Sequence, residues 1–259
     1  MIVKPRKKRK WLRLFWLLPG LLLVACVAHR LVFPEETRAI LVRFSYFKRS
    51  GRLYYSDSTP ASEVTRMHSL IEQASKRVAT FWNGQQSNPR FIYCETQEEF
   101  ARYSISPDAP ACTYCKLGEH IVVNADGMDA DIIAHEISHA EFYARVGFYI
   151  WSFKIPDWFK HGLAMQNDYR IYYSTDTLIA RTDSLKTLPD VTKLKTSQQF
   201  YSGSPEEVML HYMAAKYRVA LWFTRDRLAA LVAALRKGDP FDEAFAETEL
   251  MNPGNHTPD

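Results

Sequence analysis

His135 and His139 stand four residues apart, and Glu136 directly follows the first, giving H-E-x-x-H inside the mostly apolar stretch 129–146. In a helix, side chains four apart lie one above the other on one face. Two imidazole nitrogens can therefore meet one tetrahedral Zn²⁺. Glu136 then points off the ligand line, toward the open side of the metal, where it can take a proton from a metal-activated water. Zinc lowers the pKa of such a water to about 7, within reach of a carboxylate base. The plainer reading is a chance match on an exposed helix. Against it, Ile132, Ile133, Ala134, Ile137 and Ala140 surround the motif with small or apolar side chains, as a buried site requires.

A catalytic zinc site keeps three protein ligands and one open position, so a third ligand is needed. Residues 156–164 read Pro-Asp-Trp-Phe-Lys-His-Gly-Leu-Ala. This segment resembles the P-x-W-x-x-E-G-x-A segment of gluzincin zinc metallopeptidases, specifically the bacterial peptidase MA-like group related to the aminopeptidase branch. The resemblance implies that position 161 supplies the third ligand. The family has glutamate there and this chain has His161. Three-histidine zinc sites are sound chemistry, and the set carries one negative charge fewer, which makes the metal a stronger Lewis acid. The alternative is a surface histidine and a site short of a ligand.

Residues 235–245, Leu-Arg-Lys-Gly-Asp-Pro-Phe-Asp-Glu-Ala-Phe, are similar to the end of the same family's domain. The family pattern also matches Tyr212 to a tyrosine facing the cleft, which implies a hydroxyl for the oxyanion of a tetrahedral intermediate. A core tyrosine is the competing reading, and the adjacent His211 has no better claim. A metzincin pattern is excluded, because the positions that need Gly and His hold Phe142 and Arg145. The resemblance implies a zinc-dependent peptidase hydrolysing peptide bonds of a peptide or protein substrate, with His135, His139 and His161 as ligands and Glu136 as base. The histidine at position 161 keeps a second expectation open, a catalytically silent zinc-binding or envelope interaction module on the same fold.

The 259 residues suffice for one substantial core with appendages. A net charge of +4 misleads, because seven lysines and arginines precede residue 14 with no acid among them. Without those seven, 26 basic residues face 29 acidic ones, so the body is faintly acidic and offers no nucleic-acid surface. After the basic head, residues 1–10, an apolar segment spans about 11–33 and includes fifteen uncharged residues, 14–28. It predicts a single-pass signal anchor in the bacterial cytoplasmic membrane, N-terminus inside and body outside, periplasmic or extracellular. Leu23-Val24-Ala25-Cys26 also resembles a lipobox, which implies a lipoprotein acylated at Cys26; cleavage near Ala28 is the third possibility.

The rest divides into a juxtamembrane linker, 34–51, a zincin-like peptidase domain, 52–250, and a tail, 251–259. The predicted class is α+β, with a small mixed sheet and C-terminal helices. Strands are predicted at 52–55, 90–94 and 120–124, and helices at about 60–82, 96–103, 129–146 and 156–169. The order helix, strand, helix, strand, H-E-x-x-H helix is that of the N-terminal half of zincins. By that resemblance 119–124 is the edge strand beside the site, able to take an extended substrate by strand addition. Phe148, Tyr149, Trp151 and Phe153 form either a wall of the cleft or core packing. Residues 171–204 carry few signals beyond a possible hairpin at 171–179. Cys94, Cys112 and Cys115 predict one disulfide with the pairing open, since outside the cytoplasm thiols pair.

Overall fold

The computed structural model describes the backbone of residues 8–251 and the side chains of residues 19–251. The start of the basic head, 1–7, and the tail, 252–259, lie outside the described residues. The chain opens with helices α1 (Lys8–Val32) and α2 (Pro34–Ile40), then strands β1 (Lys48–Ser50) and β2 (Leu53–Tyr55). Helix α3 (Ala61–Trp82), β3 (Arg90–Cys94), α4 (Gln97–Tyr103), β4 (Ala111–Tyr114) and β5 (His120–Asn124) follow. Helices α5 (Ala130–Val146), α6 (Phe148–Phe153) and α7 (Asp157–Ala164) come next. After α8 (Thr175–Arg181) and α9 (Ser197–Phe200), the chain ends in α10 (Pro205–Trp222), α11 (Arg225–Lys237) and α12 (Phe241–Leu250).

The five strands form one mixed sheet in the order β1-β2-β3-β5-β4, with β2, β3 and β5 parallel and the two outer strands antiparallel. Alternation along each strand builds two cores. Phe91, Tyr93, Ile121 and Val123 face α3 and α5, which contribute Met67, Ile71, Val78, Ile133 and Ile137. Ile92, Cys94, Val122 and Tyr114 face the other way, toward Phe100 and Tyr103 of α4 and toward Ala39, Val42 and Phe47. All five residues of β5 are buried, as befits a strand covered on both faces. The α+β class with a small mixed sheet and C-terminal helices is the observed architecture.

Five expectations are corrected. Among the described residues no helix is long and apolar enough to cross a membrane. The segment 11–33 does lie largely within a helix, α1, but its uncharged run of fifteen residues spans only about 22 Å at 1.5 Å per residue, against a hydrocarbon core of about 30 Å. Charged residues bracket that run on both sides. The transmembrane anchor, and the membrane location that rested on it, are therefore overturned; Cys26 lies within α1 as a free, exposed thiol. Second, 34–51 is not a linker. Glu36, Ala39, Val42 and Phe47 are buried, and β1 pairs with β2.

Third, the cysteines are free. Cys94 and Cys112 lie on the two strands flanking β5, opposite Asn124 and Val122. Two strand spacings and a two-residue offset put their Cα atoms about 12 Å apart, beyond the reach of a disulfide. Cys115 lies just past the end of β4 and is free, as is Cys112. Fourth, 119–124 is not the edge. β5 pairs on both sides, and the edge beside α5 is β4. The expected hairpin at 171–179 is a 3₁₀ turn, Ile171–Tyr173, followed by α8.

Candidate metal centre

Helix α5 carries the motif. Asp129 caps its start by accepting the N–H of Asp131 at 2.7 Å. Gly147, at φ 81°, ends it in a backbone conformation that disfavours other residues. Twelve of its seventeen residues are buried, so the helix is packed nearly all round. The fully buried Glu141 fixes its far end, accepting the N–H groups of Gln86 and Ser87 at 2.9 and 2.8 Å and Arg145 Nε at 2.7 Å. Those donors satisfy a charge that burial otherwise penalises, and they tie the loop after α3 to α5.

On the other face of α5 the His135 and His139 Nε2 atoms face each other at 3.1 Å. Two nitrogens sharing one tetrahedral zinc at 2.0–2.1 Å stand about 3.3 Å apart. His161, from α7, completes the group: one ligand atom from each of the three histidines lies within 4.8 Å of the others. The structure thus brings together the three predicted ligands, in a cluster that can hold a metal ion. Burial, with His161 the next cause at His135 and His139 at His161, holds all three imidazoles well below their ordinary pKa. They are neutral at pH 7, the form that binds metals. Their Nδ1 atoms are buried without partners. Three uncharged nitrogen donors converging in one place fit a metal ion that imidazole suits.

Glu136 lies beside the cluster. Its Oε2 accepts the Thr113 hydroxyl at 2.6 Å. Thr113 is on the edge strand β4, paired with Ile121 and on the sheet face that meets α5. Burial pushes the Glu136 carboxyl up to about 7, and the Thr113 hydrogen bond opposes that rise. A carboxylate near neutrality can both take and return a proton at pH 7.

Helix α7 is pinned from three sides. Trp158 and Phe159 are buried among Trp222, Phe241 and Phe245, with ring centroids 5.1–6.1 Å apart. The Asp157 and Trp158 N–H groups donate to the Lys195 and Leu194 carbonyls at 3.1 and 3.2 Å. Ser197 Oγ and Lys160 Nζ donate to the Asp157 carboxylate. Gly162 lets α7 approach α10 closely: a Cβ there meets the Ala215 carbonyl oxygen at 2.6 Å and Val219 Cγ2 at 2.7 Å. We expect Gly162→Ala to lower stability by about 1–3 kcal/mol, as overpacking does, and to weaken metal binding by displacing the neighbouring His161. A denaturant midpoint equal to wild type contradicts this close approach.

Tyr212, on α10, does face the cluster. Its ring centroid is 5.1 Å from that of His161 and 6.3 Å from that of His135. Burial keeps its hydroxyl protonated, far above the usual tyrosine range. Trp151 of α6 meets His139 edge-on at 5.8 Å, whereas Phe148, Tyr149 and Phe153 are exposed. Three residues escaped sequence reasoning. Thr113 lay in a stretch read as loop. Phe200 stacks on His161 at 4.6 Å, and the Tyr201 hydroxyl is 3.0 Å from His161 Nε2. The one signal for the last two was the Thr196-x-x-Gln199 capping box that begins α9 just before them. Among protein-family models and among curated proteins, nothing matches the chain.

Proposed function

We propose that this chain is a zinc-dependent peptidase, in which His135, His139 and His161 hold the metal, Glu136 is the general base and Tyr212 is a donor to the substrate oxyanion. The observation that carries the reading is the convergence of three neutral imidazoles next to a buried carboxylate whose pKa is near 7. Resemblance of 156–164 to the gluzincin third-ligand segment supports it. A bound zinc ion supplies Lewis acidity and a water of lowered pKa. The protein does the rest. Thr113 fixes one oxygen of Glu136 and leaves the other to accept the water's proton, which then passes to the leaving amine. Tyr212, held protonated, donates to the carbonyl oxygen as negative charge develops on it. The edge strand β4 has an open side along which an extended peptide can pair, the mode known for exposed sheet edges.

The test is metal analysis of the purified protein together with a panel of quenched peptides. We expect one zinc per chain and cleavage of part of the panel, lost on chelation and restored by added zinc. A folded protein that takes up no zinc rules this reading out. A protein that holds zinc tightly and cleaves nothing points instead to a silent metal-binding module.

A further inference from the structure

We propose that Tyr201 is a positioning residue for the third ligand: it holds His161 Nε2, leaves Nδ1 as the nitrogen that binds the metal, and passes its hydrogen bond on to Tyr212. This rests on the zinc-site reading above. Of the three imidazoles, His161 is the one whose second nitrogen has a protein partner. Its Nε2 and the Tyr201 hydroxyl are 3.0 Å apart, and the Tyr201 and Tyr212 hydroxyls are also 3.0 Å apart. His161 Nδ1 is buried and has no partner, whereas Nδ1 of His135 and His139 lies behind the facing Nε2 pair. Ligation through Nδ1 gives every polar atom of the His161 ring a partner. Ligation through Nε2 displaces Tyr201 and strands a buried Nδ1–H, which forfeits the full solvation of that donor.

The hydrogens then have one consistent direction. His161 Nε2–H donates to Tyr201 Oη, and Tyr201 O–H donates to Tyr212 Oη. The Tyr212 hydrogen is left unspent, free for a substrate oxygen. The chain is rigidly backed. Phe200 is fully buried and stacked on His161 at an interplanar angle of 27°. The Thr196–Gln199 capping box holds α9, and His211 Nδ1 donates to the Phe200 carbonyl at 2.8 Å. Metal-bound histidines ordinarily donate their other N–H to such an acceptor, and losing it costs affinity.

The experiment measures zinc affinity by chelator competition for wild type, Tyr201→Phe, His161→Ala and the double variant, with circular dichroism of the metal-free proteins as the check on folding. Tyr201 is half-exposed and the change removes one hydroxyl, so the fold is retained. We expect Tyr201→Phe to weaken zinc about 10–100-fold, and to change it less than about fivefold once His161 is alanine, because the effect acts through His161. Long-range ¹H–¹⁵N spectra of the zinc-loaded wild type should find the His161 proton on Nε2. A loss below about fivefold, a gain in affinity, the same loss in the His161→Ala background, or a proton on Nδ1 each overturns the proposal. Wild type without zinc removes the site itself, an outcome distinct from tight zinc that is indifferent to Tyr201.

Discussion

On the proposed peptidase function, Glu136→Gln is expected to lower peptide hydrolysis by about 10²–10⁴-fold, the range for losing a positioned general base, and to leave one zinc per chain. The side chains are close to isosteric, and the glutamine oxygen can still accept the Thr113 hydroxyl that Glu136 accepts at 2.6 Å. What is lost is the proton acceptor. Glu136 is not among the three residues whose donor atoms converge, so metal affinity is not expected to follow activity. Folding is expected to be unharmed as well, since the change removes a carboxyl that burial already disfavours in its charged form. The diagnostic is therefore a split: stoichiometric zinc, an unchanged melting curve and a collapsed turnover in the same sample. Full metal-dependent turnover in the glutamine variant defeats the assignment of the base.

The parts of the site legible in the sequence were those whose residue types carry both local structure and chemistry. The α5 motif lies between an Asp129 cap and a Gly147 stop, with apolar residues around it, so its helix, its burial and its two histidines were all readable. The Pro156 start marks α7, whereas His161 is legible only through the resemblance of 156–164 to the gluzincin third-ligand segment. What failed was anything decided by pairing. The zincin resemblance makes 119–124 an edge, yet burial of all five residues of His-Ile-Val-Val-Asn is the mark of an interior strand. The true edge, Ala-Cys-Thr-Tyr, is short and lies among residues that read as loop, so Thr113 went unseen. The cysteines were paired on an assumed compartment, whereas the strand order holds them apart. For the apolar head, the fifteen-residue uncharged run is a more telling quantity than the whole length of about 11–33. Phe200 and Tyr201 reach the site through tertiary packing of a four-residue helix, which no periodicity announces.

The second large effect concerns the ligands. Removing His139 takes away one of two nitrogens already 3.1 Å apart, so His139→Ala should bind no zinc at equimolar concentration in a chelator competition. His161→Ala should weaken zinc by more than about a hundredfold, beyond the 10–100-fold cost of losing an outer-sphere partner. Helix α7 does not depend on this side chain, because Trp158 and Phe159 anchor it in the aromatic core and Asp157 ties its start to 194–197. Folding and metal binding are therefore separable at this position. His161→Glu is the sharper variant. It restores a two-histidine, one-carboxylate set, which also holds catalytic zinc, and it adds one negative charge to the ligand shell. Zinc should be retained well above the alanine level. Turnover should fall, because the added charge makes the metal a weaker Lewis acid and Tyr201 loses the imidazole it is hydrogen-bonded to. Zinc held equally well by His161→Ala and wild type leaves His135 and His139 in place and moves the third ligand elsewhere. A His161→Glu variant as weak as His161→Ala means that the imidazole ring itself, stacked on Phe200, is what this cavity accommodates.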